Sequence, residues 1–313
     1  SLDEIDSIAY GWDCIRYSNE APKFFNDLRL KYCDNDNFNK IQEDYIISSY
    51  NPIKIERTLQ LGLGDLSKKR KIPKITYYSH HMSHAASTFY CSGFESANII
   101  TLDGSGEEIT TLLAIGKGKE IKELKKYYLP DTLGGLYASF TEFLGFRPYH
   151  DEGKVMGLAS YGKFDQNLQI KMDKVISYNK DTGDFKINPI MRYIGDHTYG
   201  SRFTDEFVDL FGSKRERSVS ALKNPYPDIA FALQWRLEQI VILLAKNLYK
   251  KTGLRKFCLA GGVAMNCVMN GRLAEQSFCD DIYIQPAASD NGVSLGAALL
   301  DAKDKGELKP KKL

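Results

Sequence analysis

The chain has 313 residues, of which 43% are hydrophobic and 26% charged, with a net charge of +2. That length supports one large domain or two fused lobes around a substantial core. The near balance of charge leaves no footprint for DNA or an anionic membrane surface, no apolar run approaches the ~20 residues of a membrane helix, and 19 Tyr and 16 Phe exclude disorder over most of the length.

The six cysteines, Cys14, Cys33, Cys91, Cys258, Cys267 and Cys279, show no CxxC spacing. Neither a cysteine zinc site nor a disulfide framework is expected, and the reading is a reducing, cytoplasmic compartment. The N-terminal Ser-Leu-Asp-Glu-Ile-Asp carries no signal-peptide pattern. The densest basic run, Lys68 to Lys71 with Lys74 nearby, reads as a solvated loop face.

Residues 1–70 are loosely patterned. Ile8 to Tyr10 reads as a short strand and Phe24 to Tyr32 as amphipathic. Ile72 to Tyr78 is a β-type run ending at Ser79, a good N-cap for a helix from His80 to about Tyr90. A meander of three strands follows, Ala97 to Asp103, Ile109 to Ile115 and Ile121 to Leu129, punctuated by glycine turns. Leu136, Tyr137, Phe140, Phe143 and Leu144 fall at helical spacing, and Glu152 to Tyr161 suits a short helix.

Residues 163–225 are polar and irregular and are read as a variable insertion that could shape a substrate pocket. Asp228 then caps a long helix whose apolar face runs from Ile229 through Leu233, Leu237 and Leu244 to Leu248, with Gly253 ending it. Phe257 to Ala260 and Ile282 to Gln285 are buried-type strands, and Ser294 to Ala302 is a closing helix before a charged, frayed tail. Alternating strands and helices predict an α/β fold with a parallel or mixed sheet, and ligands beyond the carboxyl ends of its strands.

Five segments could carry chemistry. His80 and His84 stand at i and i+4, so on a helix both imidazoles point one way, as a metal held from one helix face requires; the same spacing also serves purely structural histidines. Asp103-Gly104-Ser105-Gly106-Glu107 is a strand delivering an Asp into a glycine turn. It suits a phosphate or a metal, with Asp103 orienting water or holding the ion, or else an ordinary hairpin. Gly261 and Gly262, leading to Asn266, and the loop of Asp290 are strand-to-helix turns at which a nucleotide could lie. In His150 to Ala159, Lys154 could meet a phosphate and Glu152 a ribose hydroxyl or a metal-bound water, or the two form a surface pair.

Taken in order, these segments resemble one family. His-His-x-x-His-Ala, Asp-Gly-x-Gly-Glu, Glu-Gly-Lys-x-Met-Gly-Leu-Ala-x-Tyr-Gly, Gly-Gly-Val-Ala-x-Asn and Asp-x-Gly-x-x-x-Gly-Ala-Ala make up the pattern of the nodulation and antibiotic O-carbamoyltransferases. The transferase domain of that family is similar to the tRNA threonylcarbamoyl-transfer proteins. The likeness runs from about Ile75 to Gly162 and from Pro227 to Ala302.

The resemblance implies an actin-like ATPase domain with duplicated ribonuclease-H-like lobes and nucleotide in the cleft between them. Residues 1–95 would be the first lobe, and 96–313 the second with its insertion at 163–225. It implies a divalent metal, usually iron, with manganese or zinc also compatible, on His80, His84 and Asp290, with Asp103 as a further ligand or phosphate contact. ATP or carbamoyl adenylate would be held by Gly104, Gly106, Glu152, Lys154, Asp228, Gly261, Gly262 and Asn266, with Asp103 and Lys154 taking catalytic parts.

The implied reaction transfers a carbamoyl group to a hydroxyl of a sugar-like acceptor. The donor is carbamoyl adenylate, made from carbamoyl phosphate and ATP by a YrdC-like domain. The family's opening hairpin with its His-Asp pair and the YrdC-like half have no counterpart here, so the chain reads as a fragment. Alternatives are a tRNA-directed threonylcarbamoyl transferase, a sugar or acid kinase of the same fold, and a nucleotide-binding module without catalysis.

Overall fold

The computed structural model describes residues 4–31, 37–64, 72–188 and 202–310, with the side chains of 37–42 left aside. The Lys68 to Lys71 run, Cys33 and the last residues of the tail lie outside the described residues.

The first elements are β1 (Ser7–Tyr10), α1 (Cys14–Lys31), α2 (Asn37–Ser49), α3 (Pro52–Leu63) and β2 (Lys74–Tyr77). The two strands pair in parallel, Ser7 against Lys74 through Tyr10 against Tyr77. Then come α4 (His80–Ser92), the meander β3 (Ser96–Gly106), β4 (Ile109–Lys117) and β5 (Glu120–Tyr128), α5 (Leu133–Phe143) and α6 (Glu152–Ala159). The chain continues through α7 (Gln166–Val175), the hairpin β6 (Ile176–Tyr178) and β7 (Phe185–Ile187), and α8 (Asp205–Phe211). It closes with α9 (Tyr226–Thr252), β8 (Lys256–Ala260), α10 (Cys267–Ala274), β9 (Asp281–Ile284) and α11 (Val293–Asp304).

The larger sheet has the order β5-β4-β3-β8-β9, antiparallel on the meander side and parallel from β3 to β9. A meander followed by two parallel strands makes a mixed sheet, the α/β fold class read from the sequence. Strand β3 is central and buried on both faces, which is why it reads as a continuous apolar run. Its side chains alternate: Ala97 and Ile99 face the cluster of α4 and α11, while Ile100 and Leu102 face that of α5 and α9. Edge strand β5 instead carries Lys122, Lys125 and Lys126, which protect it from further pairing.

Two close approaches fix the sandwich. A Cβ on Gly296 of α11 would stand 1.7 Å from the Ser83 carbonyl oxygen of α4, so only glycine lets these helices cross. A Cβ on Gly261, at φ +95°, would stand 2.1 Å from the Leu102 carbonyl oxygen, so the turn after β8 presses on the end of β3. Because β3, β8 and β9 run the same way, Asp103, Gly261 and the loop of Asp290 emerge at one edge of the sheet.

Three expectations are corrected. Residues 163–225 are irregular only in part where described: α7, the hairpin and α8 form, 212–225 stay without helix or strand, and Phe203, Phe207 and Phe211 pack on Phe140 and Phe143 with ring centroids 5.0–6.4 Å apart. No described residue of that stretch lines either cavity described below. Asp228 does not cap its helix, which begins two residues earlier; its carboxylate accepts the Lys163 backbone N–H at 2.8 Å. Ser79 makes no side-chain cap for α4; the N–H of His80 donates instead to Glu107 at 3.1 Å.

Candidate metal centre and the cleft beside it

Helix α4 brings three histidines into the core, and their partners divide them. His81 is fully buried and already satisfied: Nδ1 sits 2.7 Å from the Thr101 hydroxyl and Nε2 3.0 Å from the Ile109 carbonyl oxygen. Burial holds its pKa well below the usual histidine value, so it is a neutral structural ring. His80 and His84 turn the other way, with their Nε2 atoms 3.1 Å apart.

Asp103 meets this pair from the end of β3, its Oδ2 3.0 Å from His84 Nε2 and 3.4 Å from His80 Nε2. Asp290 approaches from the loop after β9, Oδ1 3.5 Å from His80 and 3.8 Å from His84. One ligand atom from each of His80, His84, Asp103 and Asp290 falls within 4.8 Å of every other. Burial disfavours a proton on His84, but hydrogen bonds to Asp103 and Asp290 outweigh it and raise the pKa to about 9. Burial alone would raise the Asp103 pKa, but the two imidazoles hold it well below the carboxylate range.

The chemistry of this donor set fits a divalent cation. Two nitrogen lone pairs and two carboxylates converge from a helix, a strand end and a loop, in the mixed imidazole–carboxylate composition that iron, manganese and zinc accept. The tautomer of His80 is set from behind: Nδ1 lies 3.3 Å from the Gly11 carbonyl oxygen, so Nδ1–H donates there and Nε2 keeps its lone pair for the cluster. Gly106 has a different role from the predicted nucleotide contact. A Cβ there would stand 2.2 Å from the His80 ring, so Gly106 makes room for the imidazole.

A cleft of about 580 Å³ opens beside the cluster. Asp103, Gly104, Glu152, Gly262, Asn266 and Asp290 line it, so most of the site residues read from the sequence converge. Thr132, capping α5, donates its hydroxyl to the Gly104 carbonyl oxygen at 2.6 Å and accepts the Gly135 N–H, which aims the helix start at the Asp103 turn. Tyr137, Leu237, Val263 and Met265 supply apolar wall.

Sequence reading missed a polar network on that wall. Asn266 caps α10 by accepting the Met269 N–H at 2.9 Å, and its amide is paired both ways with Gln234 at 2.8 and 3.1 Å. The Tyr137 hydroxyl donates to Gln234, which donates in turn to Glu238. The signal lay in Gln234 and Glu238, polar residues one turn apart inside the apolar run of α9. Asn266 is thus committed to holding the turn, with the rest of its amide facing the cleft.

Besides Gly106, three predicted ligand contacts are not brought to the cleft. Lys154 points into solvent and pairs with Asp151 at 2.8 Å, because the start of α6 offers it a carboxylate one turn back. Asp228 is occupied by the Lys163 N–H. Gly261 is turned inward, its N–H donating to the Ala288 carbonyl oxygen at 2.7 Å.

Comparison with known proteins agrees with this arrangement of motifs. Residues 3–299 match the family described as carbamoyltransferase N-terminus. The chain is 40% identical over 237 residues to an uncharacterised protein of Synechocystis sp., covering 76% of this chain and 38% of that protein. It is 35% identical over 251 residues to nodulation protein NolNO of Sinorhizobium fredii, covering 76% and 33%. It is 33% identical over 241 residues to nodulation protein NolO of Bradyrhizobium diazoefficiens, covering 74% and 40%. The chain therefore spans well under half the length of these relatives. Among solved structures, full-length HypF in its phosphate- and nucleotide-bound form is similar with a TM-score of 0.42 at 16% identity, over 78% of this chain and 46% of that one.

Proposed function

Because the chain belongs to the carbamoyltransferase N-terminus family, we propose that the histidine–aspartate cluster and its cleft are the transfer centre of an O-carbamoyltransferase. The donor in this reading is carbamoyl adenylate, made from carbamoyl phosphate and ATP by a YrdC-like domain, and the acceptor is a hydroxyl of a sugar-like molecule. The single observation that carries it is the meeting of His80, His84, Asp103 and Asp290 at the mouth of a cleft large enough for a nucleotide. A kinase of the same fold has no use for the histidine pair.

His80, His84 and Asp290 would hold a divalent ion, with iron first and manganese or zinc also compatible with the donors. When bound, that ion supplies Lewis-acid polarisation of the carbamoyl carbonyl. Asp103, anchored through Oδ1 to the Gly104 N–H at 2.7 Å, presents Oδ2 to the cluster. Gly262 leaves room beside it, since a Cβ there would lie 3.1 Å from Asp103 Oδ1. Tyr137, Leu237 and Val263 would pack on the nucleoside and exclude water, which favours a hydroxyl nucleophile over hydrolysis. Glu152, His150, Ser105 and Ser289, with the Asn266 amide, are polar groups of the cleft that could orient it.

In the transfer, the acceptor oxygen bonds to the carbamoyl carbon and the carbamoyl–phosphate oxygen bond breaks. Its electron pair leaves on AMP, and the hydroxyl proton passes to solvent. Lys154 and Asp228 take no part. The test is a single-turnover assay on supplied carbamoyl adenylate, following AMP release with and without divalent metal. Metal-dependent release that falls roughly 10–100-fold in Asp103→Asn supports the reading. Metal-independent release, or phosphoryl transfer from ATP to sugars that survives His84→Ala, overturns it.

A further inference from the structure

A second cavity, of about 340 Å³, lies among Trp12, α1, α2 and the turn after β3. It shares Ser105 and Asp290 with the nucleotide cleft, so the two cavities meet where the histidines converge. The Trp12 ring forms part of its lining and stands 5.4 Å from the His80 ring, edge to face. Its volume falls at the small end of the ~300–1,000 Å³ of small-molecule sites.

Three lining residues carry buried polar atoms without a hydrogen-bond partner: Trp12 Nε1, Glu107 Oε2 and Glu43 Oε1. Trp12, Glu107 and Glu43 are 9%, 1% and 2% exposed, so solvent reaches them little, and unpartnered groups at such depth are rare in folded proteins. Glu107 is held in this pose. It sits at φ +54°, and its Oε1 accepts the N–H groups of Asp13 at 2.7 Å and of His80 at 3.1 Å, which leaves Oε2 over. Arg16 stands 3.8 Å from Oε2, and Glu43 faces Arg29 through its other oxygen.

We propose that this cavity is the acceptor pocket, that it takes a neutral or cationic hydroxylated ring, and that it rejects acceptors bearing a carboxylate or phosphate. The inference rests on the transferase reading for its purpose, though not for its chemistry. One N–H donor and two carboxylate acceptors call for a ligand that both donates and accepts, as neighbouring hydroxyl groups do. Trp12 and Tyr50, stacked at 3.9 Å, with Tyr17 and Phe25, give the aromatic surface on which the C–H faces of a ring pack. Among the described residues no Lys or Arg lines the cavity, while Glu43, Glu107 and Asp290 do, so an anionic ring would meet like charge. Because the cavity shares Asp290 with the nucleotide cleft, the acceptor hydroxyl can reach the cluster there.

The test is saturation-transfer NMR on the full chain, without metal or donor, using methyl β-glucoside, glucosamine and glucuronate as probes. The glucoside and glucosamine receive saturation, and glucuronate binds at least about tenfold more weakly. Ile46→Phe, which fills the pocket, abolishes the signal, with an unchanged near-ultraviolet circular dichroism spectrum as the check on folding. Absence of transfer to every probe, an unchanged signal in a folded Ile46→Phe, or a preference for glucuronate overturns the proposal. Sugar binding without metal-dependent AMP release would sink the transferase reading and leave the pocket standing. AMP release without sugar binding would do the reverse.

Discussion

Two segments of this chain concentrate chemistry-bearing residues, and the fold treats them oppositely. Residues 79–84 supply two imidazoles that converge on carboxylates from β3 and the loop after β9. Residues 150–159 hold His, Asp, Glu and Lys just as densely, yet Lys154 spends its charge on Asp151 at the surface, and only His150, Glu152, Gly153 and Met156 reach the cleft. Both segments lie on helices. What separates them is what each helix packs against: α4 is wedged against α11 and the sheet, with no room for its polar groups to turn outward, whereas α6 leaves one face in solvent. Spacing sets the direction of side chains along a helix, and tertiary packing decides whether they converge.

The contrast can be broken by mutation. The largest effect belongs to His84→Ala, which removes one of the two nitrogen ligands. Metal affinity should fall by more than the roughly 10–100-fold that losing a supporting hydrogen-bond partner costs, as read by competition with a chelating dye. Gly296→Val comes next. It forces α11 off Ser83, with overpacking of the kind that costs about 1–3 kcal/mol, so both the melting temperature and the metal occupancy should fall even though no ligand has changed.

A smaller effect is a pH dependence confined to the metal-free protein. His84 has a folded pKa raised to about 9 from an ordinary 6.5. Its contribution to stability is therefore fully present below about pH 6.5 and is lost as the pH rises towards 9. Thermal melts in chelator should show this decline, and His84→Gln should flatten it. Metal must displace the same proton, so apparent metal affinity should climb over the same window. Smallest of all is Lys154→Ala: a surface substitution of this kind changes stability within about ±0.5 kcal/mol, and AMP release should stay within about twofold of wild type. A loss of tenfold or more would restore Lys154 to the site and remove the contrast.

Much of this was legible in the sequence, for identifiable reasons. The meander, α9, β8 and β9 have β-branched or helically spaced apolar runs closed by glycine or proline, and the observed ends fall within a few residues of those read. Helices α2 and α3 were not foreseen: α3 has apolar residues at helical spacing, yet none is buried, and Tyr45, Ile53 and Leu61 stay exposed. The aromatic packing of α8 was hidden because Phe203, Phe207 and Phe211 sit in an otherwise polar stretch. In the site, His80 and His84 stood out by their i, i+4 spacing and Asp103 by its glycine turn, Asp290 entered as a ligand only through the family resemblance, and one ligand atom of each lies within 4.8 Å of the others. Glu107, Trp12 and Gln234 could not, since their roles arise only when α1, β3 and α9 are brought together.

The most direct measurement is the metal content of protein purified without a metal-affinity tag, by elemental analysis of wild type, His84→Ala and Lys154→Ala side by side. The account predicts close to one divalent ion per chain in wild type and Lys154→Ala, and background in His84→Ala. Metal that persists in His84→Ala, or a wild type that takes up none when offered iron, manganese or zinc, would contradict it.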